Sequence, residues 1–409
     1  MIGRLTELER VLKKCTKRSY DLEPGTEHME VSMKQINEQY NQITDYINDL
    51  LHNHQGVGVS VAIVKDSETI YSKGFGNARI ETTERPIDGD TRMSIQSISK
   101  NFMALSIMQL VEKNLIALDD AVVTYLPYFR TKNKEQSDAI TIRHVLSHTA
   151  GFPSEVGIAN MIAPNVREIF SDTPTEFQEA LDHYQLTEEE IASIKNREDI
   201  TKWFEKVEME YTPGEGWNYC TDSYVILADL FEKVTGSKWE ASLHDDILTP
   251  LDMKRTTSDS HEVEEDQNSA RYYVGEDKIE TPFPINPISA PIGYLYSTAN
   301  DLGNYLTFHL NKESTVLQSE LIEEMQKSIH LVSEEWRAPG CDVRSYGLAW
   351  FTDTYRGYKI VEHGGGQLGV RSLMTIVPEL NLGVVVLLNF DGTIHHDICD
   401  KIMDVFMDS

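Results

Sequence analysis

The chain reads as a mixed α/β (α+β) protein in which one antiparallel sheet is built from both chain ends, helices flank it, and an all-helical lobe is inserted between. Three observations predict this. β-Branched runs joined by turn residues stand near the start, helical apolar spacing fills the middle, and strand-like runs return from Ser345 onward. Two separate half-sheets would leave unpaired edges, so the early and late strands are expected to pair with each other.

Residues 1–35 are polar and read as an N-terminal arm or appended helix, leaving 36–409 as the domain proper. A helical stretch through Ile36, Ile43, Tyr46, Ile47 and Leu50 leads into the strand Gly56–Val64, which Asp66 and Ser67 turn into a second strand over Thr69–Gly76. The sheet lobe is expected over about 36–90 and 285–409, and the helical lobe over about 91–284. Within the latter, Thr187-Glu188-Glu189-Glu190 has capping-box spacing. Four late strand-like runs, Tyr346–Phe351, Tyr358–Val361, Ser372–Val377 and Leu382–Leu388, form a meander, and a helix from about Ile394 to Met407 closes the chain.

Composition narrows the partners. With 66 acidic against 37 basic residues and a net charge of -29, the chain lacks the clustered cations that nucleic acid and anionic membranes require. No apolar run approaches the roughly 20 residues needed to span a bilayer. The charged start through Arg18 has no apolar core of a secretion signal, which predicts a cytoplasmic protein. Four cysteines, Cys15, Cys220, Cys341 and Cys399, are widely spaced and suggest free thiols rather than a zinc ribbon or disulfide framework. No metal or organic cofactor is implied, and self-association into a homo-oligomer stays open.

The chemistry enters at Ser97-Ile98-Ser99-Lys100, where a hydroxyl and an amine stand one helical turn apart on one face. A serine needs such a base to become a nucleophile, and a lysine enclosed in the apolar helix that follows loses hydration and becomes basic near neutrality. Ser97 is expected to open that helix, where the helix N-terminus favours an anionic intermediate. A helix cap with a surface lysine fits the tetrapeptide equally well.

Two later segments supply candidate partners. Tyr219 lies in the turn-rich Pro213–Tyr224, where a phenol near Lys100 would have its phenolate form favoured and would pass a proton to a leaving group. In Glu362-His363-Gly364-Gly365-Gly366, glycines let backbone approach a substrate, and the Gly366 amide is expected to join the Ser97 amide as an oxyanion hole. Taken singly, a core tyrosine and a loose hairpin turn explain these segments as well.

The order Ser-x-x-Lys, Tyr219-x-Thr221, His363-Gly364-Gly365 resembles the serine β-lactamase and penicillin-binding-protein superfamily, and within it the branch of class C β-lactamases, D-aminopeptidases, DD-carboxypeptidases and related esterases (peptidase S12 type). Further stretches carry the resemblance, among them Ile140–Pro153, Thr249–Met253 and Pro291–Thr298. It implies a β-lactamase/transpeptidase-like fold and a serine acyl-enzyme hydrolase acting on a small molecule or short peptide. It makes Ser97 the acylated nucleophile, Lys100 its base, Tyr219 the proton shuttle and His363 the third-motif cation or donor, beside Gly365 and Gly366.

Two departures bear on the substrate. Thr221 stands where the branch usually carries an asparagine that binds the acyl side chain, and His363 replaces the lysine of the lactamase motif, which favours peptidase or esterase work over β-lactam hydrolysis. The stretch from about 154 to 211 is longer than usual and is expected to form a helical, acidic lid that suits a substrate with a free α-amine. Small peptides and D-amino-acid amides therefore lead, with a carboxylesterase, a weak β-lactamase and a silent binding or sensor protein as the alternatives.

Three other patterns compete less well. His144 and His148 share helical i, i+4 spacing but lack the glutamate of a metalloprotease. His395, His396 and Cys399 resemble a ligand cluster, yet a partly exposed final helix explains them. Cys220 has no base placed for it and reads as a buried structural thiol.

Overall fold

The computed structural model describes residues 26–80, 85–170, 174–311, 315–336, 341 and 343–408. Two compact units are distinguished, residues 1–45 and 46–409. A helix, α1, occupies Thr26–Asn53, beginning upstream of the expected start at Ile36. Most of the expected N-terminal arm, residues 1–25, lies outside the described residues.

In the second unit, strands β1 (Gly58–Lys65) and β2 (Glu68–Arg79) form the opening hairpin. Asp66 and Ser67 both have positive φ, 53° and 67°, the geometry of a two-residue hairpin turn whose twist matches its strands. A short β3 (Arg85–Pro86) follows. The late strands are β4 (His330–Leu331), β5 (Ser345–Tyr346), β6 (Phe351–Tyr355), β7 (Tyr358–Gln367), β8 (Val370–Val377) and β9 (Leu382–Leu388). All nine build one antiparallel sheet in the order β3-β2-β1-β9-β8-β7-β6-β5-β4.

The seam between chain ends is the β1–β9 pair, with Val61 opposite Val386. Every residue of β9 is buried, as a strand covered on both faces must be, which is why Leu382–Leu388 is an unbroken apolar run and not an alternating one. Helix α4 (Ala299–Leu310) lies close on one face: a side chain at Gly383 would meet Leu306 Cβ at 3.1 Å. Helix α5 (Ile394–Met407) buries Ile398 and Ile402.

Between the two groups of strands lie mostly helices. In α2 (Ser99–Glu112) every residue from Ser99 to Leu110 is buried, and a helix apolar all round belongs in a core. Phe102 of α2 stacks on Tyr305 of α4 with ring centroids 4.3 Å apart, inside the large core that also holds Ala62, Val385 and Leu387 of the sheet. Helix α3 (Ser223–Thr235) joins that core, its Tyr224 hydroxyl donating to the Leu146 carbonyl at 2.6 Å. The 154–211 stretch contains short helices, and Thr187 and Glu190 form the expected capping box. No helix among the described residues is long and apolar enough to cross a membrane.

Candidate active site

Ser97 sits in a single 3-10 turn, Gln96–Ile98, and α2 begins two residues later, at Ser99, not at the serine itself as expected. The approach to this turn is strained. Gln96 is held at φ 48°, in the left-handed region that costs a non-glycine residue on the order of 1–3 kcal/mol. Surrounding bonds hold it there. The Ser372 hydroxyl donates to the Ile95 carbonyl (2.8 Å), the Ile95 amide donates to Leu295 (3.0 Å), and the Gln96 amide side chain donates to Ser94 Oγ (2.7 Å).

Lys100 is wholly buried, 0 % exposed, with Nζ 3.0 Å from Ser97 Oγ and 2.7 Å from the Ile292 carbonyl, to which it donates. Desolvation lowers its pKa to about 7, against the opposing charges of Asp222 and Cys220. A neutral amine has both a hydrogen for Ile292 and a lone pair for the serine proton.

Tyr219 packs its ring 5.1 Å below Lys100 Nζ. Burial pushes its hydroxyl above the ordinary tyrosine value, with a hydrogen bond from Ser97 pulling the other way. The expected phenolate is thus corrected. The site desolvates both groups, so Tyr219 stays a phenol beside a Lys100 amine that titrates near neutrality.

His363, on β7, is corrected in a similar way. It is 1 % exposed, and burial, with the nearby charges of Lys100 and Arg344, lowers its pKa to about 3, so it is not a cation. Its Nδ1 lies 2.7 Å from the Gly364 carbonyl, which only accepts, so Nδ1 carries the proton. Nε2 is then an acceptor, 3.1 Å from the Tyr346 hydroxyl and 3.5 Å from that of Tyr219. Toward these neighbours the ring receives hydrogen bonds.

The two glycines differ in what they make room for. A Cβ on Gly365 would fall 2.4 Å from the Ile95 carbonyl and 2.5 Å from Ser372 Oγ, so β7 approaches the Ser97 segment as closely as a bare backbone allows. On Gly366 it would meet only the Arg371 side chain, at 3.5 Å.

Two cavities meet at Ser97. A larger one of about 880 Å³ is lined by Ser97, Glu155, Tyr219, Arg344, His363 and Gly365, among others, and a smaller one of about 370 Å³ adjoins it. Ser97, Thr221 and Gly366 line both. The 154–211 stretch is tied to the Tyr219 loop by Asp222, whose carboxylate accepts from the amides of Ala159 (2.7 Å) and Gly157 (3.2 Å).

Several neighbours of the site carry no motif. Tyr346 lies in ordinary apolar surroundings, and a glutamine at positive φ leaves no trace in composition. Arg344 pairs with Glu362 at 2.8 Å, both buried, beside the larger cavity. His148 has a different place from a metal ligand: its Nδ1 accepts from the Cys220 amide at 3.2 Å and its ring lies 4.3 Å from that of Tyr219. His144 instead caps its own short helix through the Thr141 amide. His395 is buried, not exposed, and Cys399 bonds Thr375 Oγ1. No group among the described residues has the geometry of a metal site.

Comparison with known proteins agrees with this fold. "Protein flp" of Staphylococcus aureus (strain MW2) is 25% identical over 358 residues, 87% of this chain and 64% of its own length. The chain thus spans less than two thirds of that relative. A solved octameric penicillin-binding protein homologue from Pyrococcus abyssi superposes with a TM-score of 0.73 at 27% identity, over 90% of this chain and 78% of that one. A D-stereospecific amidohydrolase from Streptomyces sp. shares the fold at 22% identity and a TM-score of 0.64, over 85% and 92% of the two chains. The Beta-lactamase family model matches residues 43–401, nearly the whole described structure, and the chain belongs to that family.

Proposed function

We propose that the protein is a serine acyl-enzyme hydrolase that cleaves an amide or ester bond in small substrates. Family membership and the hydrolase neighbour support a serine hydrolase in general. The observation that carries the finer reading is the buried Lys100 amine, with a pKa of about 7, 3.0 Å from Ser97 Oγ.

In this reading Ser97 Oγ attacks the substrate carbonyl while its proton passes to Lys100 Nζ. The amides of Ser97 and Gly366 hold the oxyanion. As the bond to the leaving group breaks, Tyr219 gives that group its phenolic proton and is replenished from the Lys100 ammonium, so the acyl-enzyme forms with both side chains neutral. His363, whose Nε2 accepts from Tyr346 at 3.1 Å, borders the Tyr219 hydroxyl at 3.5 Å and leaves its proton for the substrate. Water then attacks the ester carbon, its proton leaves by the same groups, and Ser97 recovers its hydrogen as the acid departs. Thr221, on the boundary of the two cavities, contacts the acyl side.

D-Amino-acid amides and short peptides form one substrate class within this reading, and the Streptomyces amidohydrolase of the same fold supports testing it. The octameric Pyrococcus homologue likewise supports self-association. The test is turnover of p-nitrophenyl esters, D- and L-amino-acid p-nitroanilides and nitrocefin by wild type and Ser97→Ala. Turnover lost in the folded variant is the expected result. Equal turnover by both proteins overturns the assignment of Ser97, and no turnover by either together with no Ser97-dependent labelling by a fluorophosphonate leaves a binding protein.

A further inference from the structure

We infer that the acyl half of the substrate is an uncharged apolar chain seated in the smaller cavity; the inference rests on the hydrolase reading above and narrows it. Its starting point is the difference between the two cavities. The larger is lined by charged groups, including Glu155, Glu335 and Arg344. The smaller is walled by Met161, Val166, Ile169, Phe170, Tyr184 and Leu368, beside the uncharged Gln96, Asn160 and Thr281, and among the described residues no Asp, Glu, Lys, Arg or His lines it.

Tyr219 decides which half of the substrate lies where. A group that protonates the leaving atom must face the leaving side. Tyr219 and His363 line the larger cavity and not the smaller. The leaving group therefore departs into the polar cavity, and the acyl group points into the apolar one. At about 370 Å³ the latter lies near the lower end of the range usual for small-ligand sites.

The long stretch between 154 and 211 supplies Met161, Val166, Ile169, Phe170 and Tyr184 of these walls and is anchored through Asp222. None of its described acidic side chains lines this cavity. A free α-amine there would lose its hydration without gaining a carboxylate. On this inference amides and esters of apolar acids rank ahead of the amino-acid amides considered above, whose acyl half carries such an amine.

A chain-length series tests this. Each methylene moved from water into an apolar wall adds about fourfold to binding, so kcat/KM for p-nitrophenyl hexanoate should exceed that for the acetate by at least tenfold. Ile169→Trp, at the half-buried edge of the cavity, should reduce the hexanoate-to-acetate ratio at least fivefold, with thermal melting confirming that the variant folds. Ser97-dependent turnover that favours acetate, or that favours an ester of 6-aminohexanoate over hexanoate, overturns the inference while the hydrolase reading stands. If the wild type turns over no ester, calorimetric titration of Ser97→Ala with the two esters decides the matter alone. Tighter hexanoate binding, weakened by adding Ile169→Trp, supports the cavity assignment, and equal binding overturns it.

Discussion

Lys100 Nζ donates to the Ile292 carbonyl at 2.7 Å while lying 3.0 Å from Ser97 Oγ. The carbonyl takes one hydrogen of the amine and orients it, leaving the lone pair for the serine. As the proposed base, Lys100 works only when neutral. Activity should therefore rise with pH through about 7 as Lys100 loses its proton, and fall on the acid side. A kcat/KM profile checks this; an acid limb at the ordinary carboxylate range would place the base elsewhere.

The same burial has a cost in stability. Because the folded pKa of Lys100 is about 7 against 10.5 unfolded, the unfolded chain binds more protons between these values. Stability rises with pH across this window, and the full penalty of about 5 kcal/mol applies below it. Lys100→Met should abolish turnover yet melt higher than wild type at pH 6, with the difference shrinking toward pH 10. Denaturant unfolding at several pH values measures it.

Gly365→Ala and Gly366→Ala should separate cleanly. The former drives a methyl into the Ile95 carbonyl and Ser372, which costs about 1–3 kcal/mol in overpacking and displaces the Ser97 turn. The latter meets one flexible side chain and should retain native stability. Melting temperatures of the two variants, measured together, provide the check.

Tyr219→Phe removes the proposed proton donor but not the nucleophile. Loss of about 10²–10⁴ in kcat is expected for anilides, whose leaving amine needs a proton. p-Nitrophenolate leaves without one, so the loss on p-nitrophenyl esters should be much smaller. Similar losses on both substrate types would assign Tyr219 to a different step.

Arg344 and Glu362 form a buried pair next to His363. Arg344→Met strands the carboxylate and should cost about 3–5 kcal/mol, whereas Arg344→Met with Glu362→Leu should recover most of it. Urea midpoints for the single and double variants decide whether the pair acts as a unit.

Much of the fold was legible because its signals are local. The closing helix was expected and observed over Ile394–Met407, and the Thr187 capping box declares itself in four residues. Pairing of the two chain ends followed from the rule against bare edges. The proximity of Ser97 and Lys100 needed only one turn of backbone. Protonation was not legible in this way. Charge on His363 depends on depth and on the nearby Lys100 and Arg344, none of which the His363-Gly364-Gly365 motif announces, and the phenol of Tyr219 is governed by burial that no neighbouring residue in sequence announces. The apolar cavity was missed because the glutamates of the 154–211 stretch dominate its composition while Met161, Val166 and Ile169 do the lining.

The seam between β1 and β9 has a kinetic consequence. Val59 must find Leu388 almost the length of the chain away, and contacts of such sequence separation make folding slow. During synthesis the Ser97 turn leaves the ribosome long before β7 and β8, which bring Gly365 and Ser372 against it. The strained Gln96 can be locked only after those strands arrive. A nascent chain therefore carries its proposed nucleophile without the means to hold it, and the site matures as one of the last events of folding.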